Sequence, residues 1–426
     1  MGTRITQVQR TVTILVLAAS SAGFGSTPAT AQEADQDLAE VVVTGSRVRG
    51  VAPVGSAIIQ LSTEQIEQQG ATSTSDVLRS IPQIAALGAI ESLGGSGVQG
   101  AAANVTRSQG INLRGVGPNT TLGLFDSQRV VSGGTMGQLL DASTFPQIAI
   151  QRIEVVANGA SAIYGSDAIT GVVNIIPRKS MDGAEVRARY SFADNYDEHA
   201  YGGALGHSWG SGSVFLAVEN SGHGPLFNKD RSFIVSDQRS RGGQNNAAFA
   251  CDAGSVTVGG QTYNFPGGNN APTTGQFTLV NAATSRNTCD NLSQYGQLMI
   301  DTNRNSGFLY ITQEVSEGVE LYLEAFGTSR KSFQRSGVFA LNNTSVPATN
   351  AFFRSPTNTG PITVSSLLNE FPFYNNPVYA KGYQFNGGVK FKLPNSWNGS
   401  VTAAFGDSDD YTRSRNANNA VLTAAL

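Results

Sequence analysis

Two kinds of hydrophobic pattern divide the chain near Lys179. Beyond that residue, segments such as EVRARYSF alternate apolar and polar side chains, which predicts strands with one apolar and one polar face. Six further segments share the pattern: YGGALGHSW, SVFLAVEN, SGFLYITQ, VELYLEAFG, YQFNGGVKFKL and SVTAAFGD. The second part of the chain, residues 179–426, is therefore predicted to hold about seven antiparallel strands.

The connections between these predicted strands differ in length. Three are tight and turn-like, at Gly210–Gly212, Ser316–Gly318 and Pro394–Gly399. The connections at the other strand ends are one short loop, Asp194–Glu198, and two long ones, from Ser221 to about Asn305 and from about Thr328 to Gly382. Short turns at one end and long loops at the other are typical of an outer-membrane β-barrel. A water-soluble β-sandwich is the alternative.

Residues 48–178 mix helix and strand signals and lack this repetition. Ser62 or Thr63 is a candidate N-cap for a short helix that ends at Gly70, and a second short helix is expected from Ser75 to just before Pro82. Four segments each predict a strand or a strand edge: INLRGVG, TLGLFDSQRVV, RIEVVANG and GVVNIIP. The pattern predicts a compact α+β domain of roughly 130 residues.

The N-terminus has the features of a secretory signal. Arg4 and Arg10 precede the apolar stretch TVTILVLAASSAGFG, which is too short to span a bilayer as a helix, and Ala29–Ala31 supplies a small-x-small cleavage site. Residues 1–31 are therefore predicted to be a signal peptide, followed by a short segment at 32–47. A buried N-terminal core helix is the alternative.

Composition narrows the class of protein. Charged residues make up 14% of the chain, against about 25% in average proteins. Gly accounts for 49 residues, and the net charge is −3. This composition suits a sheet-rich chain whose faces meet different solvents, and it argues against a nucleic-acid partner.

The cysteines and histidines predict no metal or cofactor site. Cys251 and Cys289 are the only two cysteines, and in an exported protein such a pair most simply forms one disulfide. His199, His207 and His223 are scattered, and neither a CxxC nor an HExxH motif accompanies them.

Two glycine-rich motifs resemble enzyme motifs, but neither has the features that the enzyme motif requires. GSGVQG, Gly95 to Gly100, satisfies G-x-G-x-x-G, but no strand precedes it. GASAI around Ser161 lacks the second glycine of a nucleophile elbow, and residues 48–178 contain no histidine to act as a base. The sequence therefore predicts that the protein is not an enzyme.

Two blocks resemble the plug-domain signature of TonB-dependent outer-membrane receptors. They are INLRGVGPNTTLGLFDSQRV, Ile111 to Val130, and RIEVVANGASAIYGSDAITGVVNIIPRK, Arg152 to Lys179. The second block matches the family pattern nearly end to end. The first departs from it, because Asp126 is followed by Ser127 and Gln128 where the family usually has a glycine and basic residues. The resemblance extends from about Glu40 to Lys179 and implies a plug at 48–178 with barrel strands after it, in the outer membrane of a Gram-negative bacterium.

The resemblance also implies roles for particular residues. Arg114, Arg152 and Glu154 are expected to hold the plug to the barrel wall, since the charged residues of a plug in a polar lumen need partners there instead of a hydrophobic core. An ion pair within the plug is the alternative. The glycines expected to make tight plug turns are Gly159, Gly165 and Gly171.

A β-branched segment with the sequence EVVVTG resembles the TonB box of this family. There a short strand pairs by backbone hydrogen bonds with the periplasmic energy-coupling protein, which is therefore the implied partner. The alternative is that this segment forms the first strand of the plug. The residues expected to make up the coupling segment are Glu40, Val41, Val42, Val43, Thr44 and Gly45.

Chain length sets a final expectation. Outer-membrane transporters with a plugged lumen have about 22 strands of about 9 to 11 residues each, more than the 248 residues from Lys179 to Leu426 can supply beside their loops. The chain is therefore predicted to be the N-terminal portion of a receptor, with an incomplete barrel. The whole receptor would carry out energy-dependent uptake of a scarce ligand. The implied ligand classes are ferric siderophore, cobalamin, haem and oligosaccharide. The alternative is a truncated, non-transporting product that at most binds the coupling protein.

Overall fold

A computed structural model describes most of the chain after residue 57. The described residues are 58–85, 106–133, 140–252, 254–266, 274–281, 283–285, 288–335, 339–350, 353–357, 360–368, 375–394 and 397–413. Within them, no helix is long and apolar enough to cross a membrane.

The elements fall into an N-terminal set and a larger set of strands. The first set is β1 (Ile58–Ser62), α1 (Thr63–Gln69), α2 (Thr74–Arg79), β2 (Thr121–Phe125), β3 (Gln128–Arg129), β4 (Ile150–Val156), α3 (Ser161–Tyr164) and β5 (Gly171–Pro177). The second set is β6 (Gly183–Ala193), β7 (Tyr196–Trp209), β8 (Gly212–His223), β9 (Leu226–Phe227), β10 (Ser255–Val258), β11 (Gln261–Asn264), β12 (Thr278–Leu279), α4 (Asn291–Tyr295), β13 (Gln297–Met299), β14 (Asp301–Ser316), β15 (Val319–Arg335), β16 (Phe339–Val346), β17 (Ile362–Leu368), β18 (Asn375–Leu393) and β19 (Trp397–Thr412).

The N-terminal domain is built on a five-stranded sheet in the order β1-β4-β5-β2-β3. The central strand β5 is buried along its whole length, and it is apolar on both faces apart from Asn174. Helix α1 begins at the predicted N-cap, since Ser62 forms a capping box with Gln65, and it ends at Gly70 in the left-handed conformation. The second predicted helix is also confirmed, one residue earlier than expected, with Ser73 as its N-cap.

The segment INLRGVG, predicted as a strand or a strand edge, contributes one bridge residue and no strand. Arg114, Gly115 and Gly117 have φ angles of 60°, 71° and 139°, so this backbone is left-handed where a strand requires extended geometry. Within the segment, Leu113 forms an isolated bridge with Ile84. The segment folds as a turn because its two glycines allow positive φ at little cost.

The seven strands predicted from alternation form one antiparallel sheet, in the order β19-β18-β15-β14-β8-β7-β6. Every strand pairs with its sequence neighbour among the seven, and the three tight turns connect β7 to β8, β14 to β15 and β18 to β19. The strands run beyond the apolar segments that predicted them; β18 has 19 residues. We call this the large sheet, and no closed barrel is formed by the described residues.

The two faces of the large sheet differ in chemistry. The inner face packs against the N-terminal domain, and the outer face exposes apolar side chains. One outer row, joined strand to strand by the register, runs through Leu205, Leu216, Leu309, Ala325, Phe385 and Phe405. A continuous apolar row on an exposed sheet face is typical of strands that meet lipid.

The two long loops contain short strands that alternation did not predict, and these strands fold together. β10, β11 and β12 of the first loop join β16 and β17 of the second in a sheet of order β12-β11-β10-β17-β16, which we call the loop sheet. Val256 and Val258 from the first loop share its core with Val346 and Ile362 from the second. The loop sheet therefore joins two connections that are separate in sequence.

The predicted disulfide between Cys251 and Cys289 is present, with Cα atoms 5.7 Å apart. It lies beside the junction of the two loops. There the carbonyl of Cys251 accepts a 2.7 Å hydrogen bond from the amide of Leu367. The crosslink thus lies within the first loop and next to the strand β17 of the second.

Replacing Gly254 with alanine is expected to separate the two loops. An added Cβ at Gly254 would lie 2.1 Å from the carbonyl oxygen of Ser365, which is backbone of the other loop and cannot rotate away. Overpacking of this kind costs about 1 to 3 kcal/mol. Hydrogen exchange should show faster exchange of the amides of β10 and β17.

Gly275→Ala is the matched control in the same loop, because an added Cβ there meets nothing within 4 Å. Unchanged protection of β10 and β17 in Gly254→Ala, equal to that in the control, would contradict the close approach of the two loops.

Candidate functional site

An aromatic cluster joins the N-terminal domain to the inner face of the large sheet. Phe125 and Phe145 of the domain stack with ring centroids 4.7 Å apart. Phe125 also lies 5.4 Å from Phe308 on β14 and 5.6 Å from Phe326 on β15. The four rings are almost fully buried, so domain and sheet share one hydrophobic core. The domain is therefore held by apolar as well as polar contacts, because the inner face carries a central aromatic patch.

A buried arginine lies beside this cluster on the inner face. The Arg330 side chain is 1% exposed, and its guanidinium donates to the backbone carbonyls of Thr106, at 2.7 Å, and Arg107. It also lies 3.2 Å from the carboxylate of Asp141. Because a buried guanidinium needs both countercharge and acceptors, these contacts fix the 106–108 segment and the Asp141 turn to the sheet.

Two more arginines, Arg304 and Arg107, lie near Arg330 at the same interface. Arg304 on β14 is directly opposite Arg330 in the strand register and is also buried. Arg107 belongs to the N-terminal domain and donates to the side chain of Gln334 on β15, at 3.1 Å. Burial lowers the pKa of the Arg107 guanidinium below its ordinary value. The interface therefore concentrates positive charge where the domain meets β14 and β15.

A carboxylate from the sheet binds the domain backbone on the other side of the aromatic cluster. Glu219 on β8 is 8% exposed, and its two oxygens accept bonds of 3.2 Å from the amides of Gln147 and Ile148. These amides open a 3₁₀ turn, Gln147–Ala149, whose first N–H groups have no partner within the turn. Gly202, next to Glu219 in the register, gives Ile148 the space to pack there.

Further polar contacts line the rim of the interface. Arg187 on β6 pairs with Glu67 of α1 at 2.6 Å. On the opposite side, the side chain of Gln384 accepts from the amide of Val131 at 2.8 Å and donates to the carbonyl of Arg129 at 3.1 Å. The aromatic cluster, Arg330, Glu219 and these rim contacts together form what we call the plug–sheet interface. The name reflects the resemblance of the N-terminal domain to a plug domain.

Comparison with protein families decides the nature of that domain. Residues 51–172 match the family model for the TonB-dependent receptor plug domain. Residues 51–172 form a domain of the TonB-dependent receptor plug family. Such plugs belong to receptors of the Gram-negative outer membrane, which is where this chain is placed.

Solved structures of outer-membrane receptors are similar to this chain at low identity. The siderophore receptor PirA from Acinetobacter baumannii is 17% identical, with 84% of this chain and 48% of that chain covered and a TM-score of 0.36. The ferric enterobactin receptor PfeA from Pseudomonas aeruginosa is 16% identical, covering 83% and 49%, with a TM-score of 0.38. The outer membrane transporter YddB from Escherichia coli is 11% identical, covering 84% and 39%, with a TM-score of 0.41. The chain thus spans about half the length of the first two receptors, and less of YddB.

The residues predicted to bind the barrel wall make contacts inside the plug. Arg152 pairs with Glu154 two residues along β4, at 2.8 Å, which is the alternative left open by the sequence. Arg114 donates to the carbonyl of Ala157 and, at 2.6 Å, to the side chain of Asn158. These contacts favour the alternative of an ion pair within the plug, and a role for the three residues at the barrel wall stays a prediction. On the large sheet, Arg330 and Glu219 bind backbone groups of the plug.

The three plug glycines lie at close backbone approaches or left-handed turns. Gly165 has a φ of 88° and Gly171 a φ of 146°. A Cβ at Gly171 would lie 2.1 Å from the Val156 carbonyl oxygen, and one at Gly159 would lie 3.0 Å from the Ile169 carbonyl oxygen. These positions suit turn glycines without any chemical role.

The predicted coupling segment lies outside the residues that the structure describes, which begin at Ile58 with β1. Its two alternatives, a TonB box or a first strand of the plug, therefore both stay predictions. The same holds for the signal peptide at 1–31 and for the glycine-rich motif at 95–100. The members of the coupling segment that fall outside are Glu40, Val41, Val42, Val43, Thr44 and Gly45.

The three histidines lie on two neighbouring strands of the large sheet. His199 and His207 belong to β7, and His223 is the last residue of β8. Among the described residues, no group of three or more His, Cys, Asp or Glu side chains is arranged to hold a metal ion.

Proposed function

We propose that this chain belongs to a receptor that takes up a scarce ligand through the outer membrane with energy from a periplasmic coupling protein. The observation that supports it best is a plug domain held against the inner face of an antiparallel sheet whose outer face is apolar. A plug that closes a lumen blocks passive diffusion, so transport requires a force that displaces it.

The loop sheet supports ligand capture at the end of the large sheet opposite the tight turns. The two loops that form it join β8 to β14 and β15 to β18, so both leave the same end of the large sheet. Tight turns face the periplasm in barrels of this kind and longer loops face outward. The ligand classes to test are ferric siderophore, cobalamin, haem and oligosaccharide.

The coupling role is assigned to Glu40–Gly45. Val41, Val42, Val43 and Thr44 are all β-branched and favour an extended backbone. Strand addition uses backbone N–H and C=O groups, so no special side chain is required. The segment precedes β1, the first strand of the plug sheet, by fewer than fifteen residues. A pull on it would therefore reach the plug directly.

Deletion of Glu40–Gly45 should abolish uptake and leave ligand binding intact. Cells that carry the full-length receptor would be tested with a radiolabelled ferric siderophore, cobalamin, haem and a maltodextrin, with binding measured on de-energised cells. Val42→Pro should reproduce the loss, because proline removes one ladder N–H.

Val42→Thr is the matched control, since threonine is β-branched and keeps the backbone donor. Uptake that survives the deletion and Val42→Pro would remove the coupling role from this segment. Absence of energy-dependent uptake of every probe by the unmodified receptor would contradict the transport proposal itself.

A further inference from the structure

The outer face of the large sheet changes from apolar to polar near its loop end. Two successive rows in the strand register carry hydrogen-bonding or cationic side chains, and we call them the outer polar patch. Its members are Tyr201, Asn220, Asn305, Ser329 and Lys381 in one row, and His199, Asn303, Lys331 and Tyr379 in the next.

A network of amides forms the middle of the patch. The side-chain nitrogen of Asn220 donates to the side-chain oxygens of Asn303, at 3.2 Å, and Asn305, at 2.9 Å. The ring of His199 lies 3.2 Å from the Asn220 side-chain oxygen and stacks on Tyr201. Because these groups hold one another in place across three strands, the patch presents a fixed array of donors and acceptors.

Two lysines lie at one side of the array. The Lys331 ammonium is 4.9 Å from the centre of the Phe333 ring and 5.7 Å from that of Tyr379. Lys381 is exposed in the neighbouring row, and Asp409 lies opposite it on β19. In the part of the chain that the structure describes, neither lysine forms an ion pair, so both ammonium groups are available to an anion.

The position of the patch matches the edge of a membrane. Asn220 lies eight residues beyond Gly212, which follows the tight turn between β7 and β8. At about 3.3 Å per residue and a strand tilt of about 40°, this places the first row roughly 20 Å above the turn end and the second roughly 25 Å above it. The apolar band of an outer-membrane barrel is about 25 Å tall, so the two rows lie at the upper edge of the band, next to the outer headgroups.

We propose that the outer polar patch binds the headgroup of a lipid in the outer leaflet that carries both phosphate and sugar hydroxyls. The ammonium groups of Lys331 and Lys381 would contact the phosphate, while the amides and Tyr201 would contact sugar hydroxyls. The apolar row below, through Leu216 and Leu309, would lie along the acyl chains. The proposal rests on the outer-membrane location and is independent of ligand uptake.

The test is equilibrium binding of fluorescent lipid A, a phosphorylated glucosamine disaccharide lipid, to the full-length receptor in neutral detergent micelles. The combined variant Lys331→Gln and Lys381→Gln should weaken binding about fivefold for each lysine removed. Lys331→Arg should retain binding, because the positive charge is kept. Lys392→Gln is the matched control on the same strand as Lys381, next to the tight turn at the other end, and should bind as the unmodified receptor does.

Each contrary result has a distinct meaning. Equal affinity of the double glutamine variant and the Lys392→Gln control would overturn the proposal. Equal affinity for lipid A and its dephosphorylated form would show that the patch does not recognise phosphate, which contradicts the role proposed for the two lysines. Displacement of lipid A by millimolar inorganic phosphate would show that the lysines recognise free phosphate, which would overturn a lipid site. Circular dichroism confirms that each variant keeps its β structure, so loss of binding can be assigned to the patch.

Discussion

Replacing Arg330 with methionine should release the plug from the sheet at the 106–108 segment. The substitution removes the guanidinium that donates to the carbonyls of Thr106 and Arg107 and that lies 3.2 Å from the carboxylate of Asp141. Removing one partner of a buried pair costs about 3 to 5 kcal/mol, because the other charge stays desolvated. The expected result is a lower unfolding temperature of the purified receptor and faster proteolysis within the plug.

Lys331→Met is the control, since Lys331 adjoins Arg330 in sequence but lies on the outer face. It changes the same charge on the same strand without contact with the plug. If the two variants show the same unfolding temperature and the same rate of plug proteolysis, Arg330 does not hold the plug.

Truncation of Phe125 to alanine should lower the free energy of unfolding about as much as Arg330→Met does. Its ring contacts Phe145 in the plug and both Phe308 and Phe326 in the sheet, so one cavity would open on both sides of the plug–sheet interface. Phe→Ala changes in a packed core cost about 3 to 5 kcal/mol. Denaturant unfolding followed by tryptophan fluorescence should show the loss, provided the slope of the transition is unchanged.

Phe192→Ala removes the same atoms from the outer face, where Phe192 is 82% exposed, and serves as the reference. A loss of stability in Phe125→Ala no greater than in Phe192→Ala would mean that the aromatic cluster does not join plug and sheet.

The local features of the fold could be predicted from sequence because their causes are local. The seven strands follow from alternation between two faces, as in the Val186, Ala188 and Tyr190 series of β6. The start and end of α1 follow from Ser62 and Gly70, whose cap bonds involve residues within one turn. The turn at INLRGVG could have been found in the same way, since its two glycines are closely spaced.

The plug–sheet interface could not be predicted, because its contacts join residues far apart in sequence. Arg330 binds carbonyls more than 220 positions away, and nothing near Arg330 distinguishes it from the other arginines of the strands. Glu219 binds backbone amides, which leave no mark in the sequence at Gln147 and Ile148. The loop sheet was missed for another reason, since β10 and β12 have only four and two residues.

The pairing of β10 with β17 constrains how these loops can change during evolution. Three consecutive residue pairs, Ser255 with Ser365 through Thr257 with Thr363, tie two stretches that are about one hundred positions apart in the gene. An insertion inside either strand would shift the register and turn Val256 away from the shared core. New recognition surfaces are therefore expected to arise by coordinated change in both loops, and transplanting a loop into another receptor should succeed only when its partner is transplanted with it.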